Sequence, residues 1–150
     1  AARALVEAGH EIGNHSYSHQ RMVLMRPASV RAELGRTDAA IRAAGYDGPI
    51  RFRPPYGKKL VVLPWVLAKQ NHASMMWSLE PRKDFGANAP VDVLVQEAVA
   101  PAEPGDIILL HPMYDSRATT RAALPAIIDG LRAKGLEPVP LGMLLAAGQP

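Results

Sequence analysis

"GDIILLHP", residues 105–112, decides the fold. Ile107, Ile108, Leu109 and Leu110 follow one another without polar alternation, so both faces of this segment need apolar cover. Such a strand belongs in a parallel sheet flanked by helices rather than on a half-solvated antiparallel surface. The pattern on either side alternates. Further strands are predicted at "HEIGN" (10–14), "PIRFR" (49–53), "ASMMWSL" (73–79) and "LEPVP" (136–140). Helices are predicted over 1–8, 28–44, 64–71, 90–99, 117–134 and 141–147. Val30, Leu34, Ile41 and Ala44 have helical spacing, Gly9 and Gly45 stand where helices stop, and Pro64 suits a first turn. Pro125 is expected to kink or split the helix that contains it. Strand–helix units in series predict an α/β protein with a parallel sheet or barrel.

The chain of 150 residues, 48% hydrophobic and 21% charged, fits one globular domain spanning 1–150 with a sizeable core. No apolar run approaches the roughly 20 residues of a membrane helix. Fourteen prolines and twelve glycines are spread as punctuation, without repeat or linker. The net charge is +3, but the arginines are scattered and not interleaved with aromatics. They read as solvated helix faces rather than a nucleic-acid surface. The absence of cysteine excludes disulfides and thiolate metal sites and leaves the compartment open. The chain opens inside a helical pattern without an initiator Met, which predicts a segment upstream, with any targeting signal on it.

The polar residues gather at predicted strand ends, where parallel α/β folds build their sites. His15 and His19 follow the first strand. Arg53 and "PPYG" end the second, Trp77 and Ser78 the third, and His111 the fourth. "GHEIGNHSYSHQ" (9–20) carries a His–Glu pair like that of a zinc-protease helix, but His10 and His15 are one residue too far apart. His15 and His19 do have i, i+4 spacing, and imidazole suits zinc and similar cations. Two ligands leave the site incomplete, because a hydrolytic zinc needs a third. A metal pair and ordinary surface histidines both remain open. His10 reads as structural and His72 as a surface loop residue. The rigid "RFRPPYG" turn can present a backbone N–H to an oxyanion, or be an ordinary proline turn. His111 reads as a general acid or base, or as a bonded core histidine. Trp77 reads as core or as a platform for a sugar ring.

Taken in order, these stations resemble the polysaccharide deacetylase family, the NodB-homology or carbohydrate esterase family 4 domain. "GHEIGNHSYSH" resembles its H-[ST]-x-x-H metal motif, "RFRPPYG" its R-x-P-[YF] motif and "DIILLHP" its leucine–histidine motif. "MMWSLEPRKDF" resembles its tryptophan–aspartate segment. The resemblance implies a partial distorted (β/α) barrel of the NodB-homology type with its first strands missing. It implies a metal-dependent hydrolase that removes acetyl groups from N-acetylated amino sugars of a chitin- or peptidoglycan-type polysaccharide. His15 and His19 would bind a divalent metal, usually zinc. Arg53 would orient the base, the Tyr56 N–H would hold the oxyanion, and His111 would be the general acid. Trp77, Leu110 and Asp84 would contact the acetylated glycan. The family's T-F-D-D motif, which supplies the base and a third metal ligand, has no counterpart here: no two Asp residues are adjacent. This predicts a fragment that is inactive by itself. The tryptophan–aspartate segment is shifted, with Asp84 one residue late and Glu80 where Asp is usual. The resemblance also implies a secreted or envelope location. Two alternatives stand: a non-catalytic glycan-binding or regulatory relic, and a same-fold amidase on a small cyclic imide or ureide.

Overall fold

The computed structural model describes residues 1–85 and 90–148. Six helices lie among them: α1 (Ala2–Glu7), α2 (Pro27–Ala43), α3 (Val62–Lys69), α4 (Val91–Val99), α5 (Ala118–Ala133) and α6 (Leu141–Ala147). Each is within a few residues of a helix predicted from spacing. The chain forms two compact units, Ala1–Met76 and Trp77–Pro150.

In the first unit, α2 opens on Pro27, whose missing N–H would have had no helical acceptor there. It buries Val30, Leu34 and Ile41 along one stripe and stops at Gly45, which has φ +94°. Val30 and Leu34 pack with Met22, Phe52, Leu63, Val66 and Leu67 into a continuous core. Phe52 is the centre of this unit. It is fully buried and bridges in parallel to both Asn14 and Ser74. The Phe52 N–H donates to Ala73 O at 2.9 Å, and the Met75 N–H to Phe52 O at 2.7 Å. On the other side the Asn14 N–H donates to Arg51 O at 2.8 Å, and the Arg53 N–H to Asn14 O at 2.9 Å. Three predicted strands therefore lie side by side in parallel, in the order 14–52–74.

The second unit has one parallel bridge, Leu79 to Ile108. Its core is Leu94, Ala98, Ala102, Ala123, Ile127 and Leu131, with Ile108 and Leu110 packed against it. α4 and α5 approach closely at Gly130, where a Cβ would stand 3.0 Å from Val99 Cγ2. Lys134 donates to the carbonyls of Val99, Ala100 and Ala102 at 2.8–2.9 Å, which caps the end of α4.

Two expectations are corrected. Among the described residues the pairing consists of isolated bridges rather than runs of strand. Proline explains the short ladders: Pro49, Pro54, Pro55, Pro81 and Pro112 bound the bridging segments, and Pro138 and Pro140 interrupt 136–140, all without N–H donors. Pro125 does not split α5. It sits on the exposed face, where solvent can satisfy the Arg121 carbonyl that its nitrogen leaves unpaired. Among the described residues no helix is long and apolar enough to cross a membrane.

Candidate active site

The loop from Asn14 to His19 is held in an unfavourable backbone conformation. Ser16 has φ 64° and His19 has φ 55°. Left-handed conformations cost non-glycine residues roughly 1–2 kcal/mol each, so the loop needs outside support. Asn14, 1% exposed, supplies much of it. Its Nδ2 donates to Leu34 O at 3.0 Å and to Asp38 Oδ1 at 2.7 Å. Its Oδ1 accepts from the Ser16 N–H at 2.9 Å. Ser16 Oγ then accepts from the His19 N–H at 3.0 Å. From α2, Glu33 Oε2 accepts from the Tyr17 and Ser18 N–H groups at 3.0 and 2.8 Å. Burial works against the Glu33 charge, but the hydrogen bonds from Ser18 and Tyr17, with Arg36 nearby, outweigh it and hold its carboxyl below the usual range.

This support brings His15 and His19 together, with ring centroids 4.9 Å apart. His15 Nδ1 lies 2.6 Å from Arg53 O. A carbonyl only accepts, so the proton is on Nδ1 and the ring's lone pair on Nε2. Second-shell bonds of this kind orient imidazoles toward metals. The "PPYG" turn completes the cluster. Tyr56 takes φ 57° within the 3-10 turn Pro55–Gly57, and its ring packs edge-on against His19 at 4.9 Å. Arg21 lies over the Tyr56 ring at 5.2 Å. The two imidazoles suit a divalent metal in donor type and tautomer. Among the described residues, no group of three His, Cys, Asp or Glu side chains gathers in a way that could hold one.

A second cluster stands in the other unit. His111 Nδ1 donates to Asp84 Oδ2 at 2.6 Å. Asp84 is 1% exposed, and its Oδ1 accepts from Thr120 Oγ1 at 2.7 Å. The carboxylate is thus fixed by α5 on one side and fixes the imidazole on the other. Arg121 donates to the carbonyls of Pro112, Tyr114 and Asp115 at 2.6–3.1 Å, which shapes the loop after His111. Tyr114 stacks on the His111 ring with centroids 6.2 Å apart. A histidine anchored at Nδ1 by a buried carboxylate is built to carry a proton at its other nitrogen.

The family model described as polysaccharide deacetylase matches residues 1–74. A chitooligosaccharide deacetylase of Bradyrhizobium sp. (strain ANU 289) is 34% identical, over 95% of this chain and 69% of that protein. The chain belongs to the polysaccharide deacetylase family. Among solved structures, a family 4 acetyl xylan esterase from Clostridium thermocellum, in complex with a cobalt ion, superposes at a TM-score of 0.87 with 30% identity. It covers 99% of this chain and 71% of that one. A carbohydrate esterase family 4 pseudoenzyme from Bacillus anthracis superposes at 0.83 with 29% identity, over 96% of this chain. This chain spans only 49% of the pseudoenzyme's.

Against the deacetylase motifs, the structure brings His15, His19, Tyr56 and the Arg53 carbonyl into one cluster, and His111 and Asp84 into another. Asp84 is corrected from a substrate contact to an anchor, because both of its oxygens are bonded to neighbouring side chains. Trp77 donates from Nε1 to Glu80 Oε2 at 3.0 Å, so Glu80 supports the tryptophan. Leu110 lines an apolar cavity of about 540 Å³ with Ile108, Ile127, Leu131 and Leu136. The His10 ring is exposed, and only its backbone is structural, donating to Leu5 O at 3.0 Å. His72 is corrected in the opposite sense: its side chain is 13% exposed and bonded at both ring nitrogens. Sequence reasoning missed Asn14, Glu33, Thr120 and Arg121, whose partners are brought together only by the fold.

Proposed function

We propose that the chain carries out metal-dependent hydrolysis of acetyl groups on N-acetylated amino sugars of a chitin- or peptidoglycan-type glycan, on a scaffold that is part of a distorted (β/α) barrel. The observation that carries this is the paired His15 and His19, with the His15 tautomer fixed by Arg53 O. His15 and His19 would hold the metal, with zinc the expected ion and a third ligand drawn from outside the described clusters. When bound, such a cation polarises a carbonyl and lowers the pKa of coordinated water. The Tyr56 backbone N–H, aimed by its left-handed turn, donates to the developing oxyanion. His111, held by Asp84, gives a proton to the leaving amine nitrogen. Arg53 orients the base, Leu110 offers apolar contact to the acetyl methyl, and Trp77 offers a face to the sugar ring.

The test is acetate release from chitooligosaccharide by the chain with zinc, with and without Asp84→Asn and His15→Ala. The proposal expects zinc-dependent release that falls about 10²-fold or more in each variant, in line with loss of acid–base function. A second reading, a glycan-binding relic, is favoured by the lack of a three-ligand group among the described residues and by the likeness to a pseudoenzyme. Chitooligosaccharide binding without acetate release, with or without zinc, would select it. A same-fold amidase predicts turnover of a cyclic imide with chitooligosaccharide untouched.

A further inference from the structure

His72 lies outside the residues that the deacetylase motifs use. Its backbone N–H donates to Leu67 O at 2.9 Å, so it follows directly on the carboxyl end of α3. Its Nδ1 is 3.1 Å from the Ile50 carbonyl oxygen, and its Nε2 is 3.2 Å from Asp38 Oδ2. A carbonyl and an ionised carboxylate only accept. A neutral imidazole has one N–H and would set its lone pair against one of these oxygens. Both contacts are satisfied together only when each ring nitrogen carries a proton. Asp38 faces the ring from α2 and the Ile50 carbonyl from the 49–53 segment, and Lys69 is the cation in the last turn of α3. The carbonyls ending α3 carry partial negative charge, which favours a positive ring beside them.

The bonding continues past Asp38. Its Oδ1 accepts from Asn14 Nδ2 at 2.7 Å, and Asn14 Oδ1 accepts from the Ser16 N–H at 2.9 Å. Ser16 Oγ accepts from the His19 N–H at 3.0 Å. An unbroken run of hydrogen bonds thus joins His72 to the loop that presents His15 and His19. We propose that His72 is a positioning residue for this loop, acting as a doubly protonated ring through Asp38 and Asn14. The inference rests on the metal-binding reading of the loop. Without the second N–H, Asp38 turns toward solvent and the Asn14 amide loses one of the two acceptors that fix its orientation. Raising the pH through the His72 titration therefore loosens the loop.

Nitrogen-15 NMR of the labelled, metal-free chain tests this directly. At neutral pH the His72 ring should show a proton on both nitrogens. The Ser16 and His19 amide signals should move with the His72 titration as pH rises. His72→Gln and Asp38→Asn are then made singly and together, and zinc binding is read from the His15 and His19 ring signals. Each single variant should weaken zinc binding about tenfold or more, as loss of outer support does. The double variant should be no weaker than the worse single one, because both act along one path. A singly protonated ring at neutral pH, unmoved Ser16 and His19 amides, or additive losses would each overturn the proposal. If the wild-type chain binds no zinc while its Ser16 and His19 amides still follow His72, the positioning link holds and the metal reading fails.

Discussion

Replacing Asn14 by Ala should cost about 4 kcal/mol of stability in the first unit. The side chain is 1% exposed and makes three hydrogen bonds, to Leu34 O, to Asp38 Oδ1 and from the Ser16 N–H. Neutral hydrogen bonds contribute about 1 kcal/mol each and a bond to a charged group about 2, and the abandoned groups stay largely shielded from water. Against a typical stability of roughly 5–15 kcal/mol, the loss is a large fraction of the whole. Asn14→Asp separates hydrogen bonding from shape. It keeps the volume but cannot donate, and it sets a second carboxylate where the amide stood 2.7 Å from Asp38. It should be at least as damaging as Ala at neutral pH and recover partly as acid protonates one of the pair. The chain has two tryptophans, so a Trp77→Phe background leaves Trp65 of α3 to report on the first unit alone. Urea titration followed by Trp65 fluorescence gives the midpoint shift at constant slope. An Asn14→Ala loss under about 1 kcal/mol would refute the assignment of Asn14 as the hub of the loop.

Two further outcomes follow from particular contacts. The Glu33 carboxyl is held below its usual range, so its support for the Tyr17 and Ser18 amides is complete above the unfolded glutamate pKa of about 4.3 and is lost as pH falls through the lower folded value. Amide exchange at Tyr17 and Ser18 should accelerate across that acid window in the wild-type chain and show no such step in Glu33→Gln; equal profiles would count against the contact. Gly130→Ala places a Cβ about 3.0 Å from Val99 Cγ2, and Val is stiff in a helix. Overpacking of about 1–3 kcal/mol outweighs a helix-propensity gain of about 1, so the midpoint should fall, and Val99→Ala in the same chain should restore it.

What was legible in the sequence depended on how far each signal reached along the chain. The Val30, Leu34 and Ile41 stripe is local, and α2 formed where its spacing required. The unbroken apolar run 107–110 indicated parallel pairing, and the pairing is parallel. Its extent was hidden, because strand propensity says nothing about how many donors the neighbouring prolines remove. The site divided in the same way. His15 and His19 are recognisable by a four-residue spacing, but the groups that hold them come from farther away. Asn14 reaches 24 positions to Asp38, and the Glu33 carboxylate 16 positions to Tyr17. Asp84 was judged from its register within a motif, and one residue of shift obscured its role. The fold decides that role by placing Asp84 2.6 Å from His111, 27 positions away.

Three histidines share one device, in which Nδ1 is anchored to an oxygen acceptor. The acceptor is Arg53 O for His15, Ile50 O for His72 and the Asp84 carboxylate for His111. Their chemistry differs because their electrostatic surroundings differ. A neutral carbonyl behind His15 fixes the tautomer without adding charge, which keeps a lone pair on Nε2, as a metal ligand requires. A buried carboxylate behind His111 can balance a positive ring, as a group that takes up and returns a proton requires. His72 has a carbonyl at one nitrogen and a carboxylate at the other, so both its protons are committed and neither a cation nor a substrate is served. Spacing in the sequence distinguishes none of these three cases. The oxygens at the ring nitrogens do, and they arrive from residues 22 to 38 positions away. In this chain the functional assignment of a histidine is therefore a property of the tertiary structure, even where the histidine itself sits in a recognisable motif.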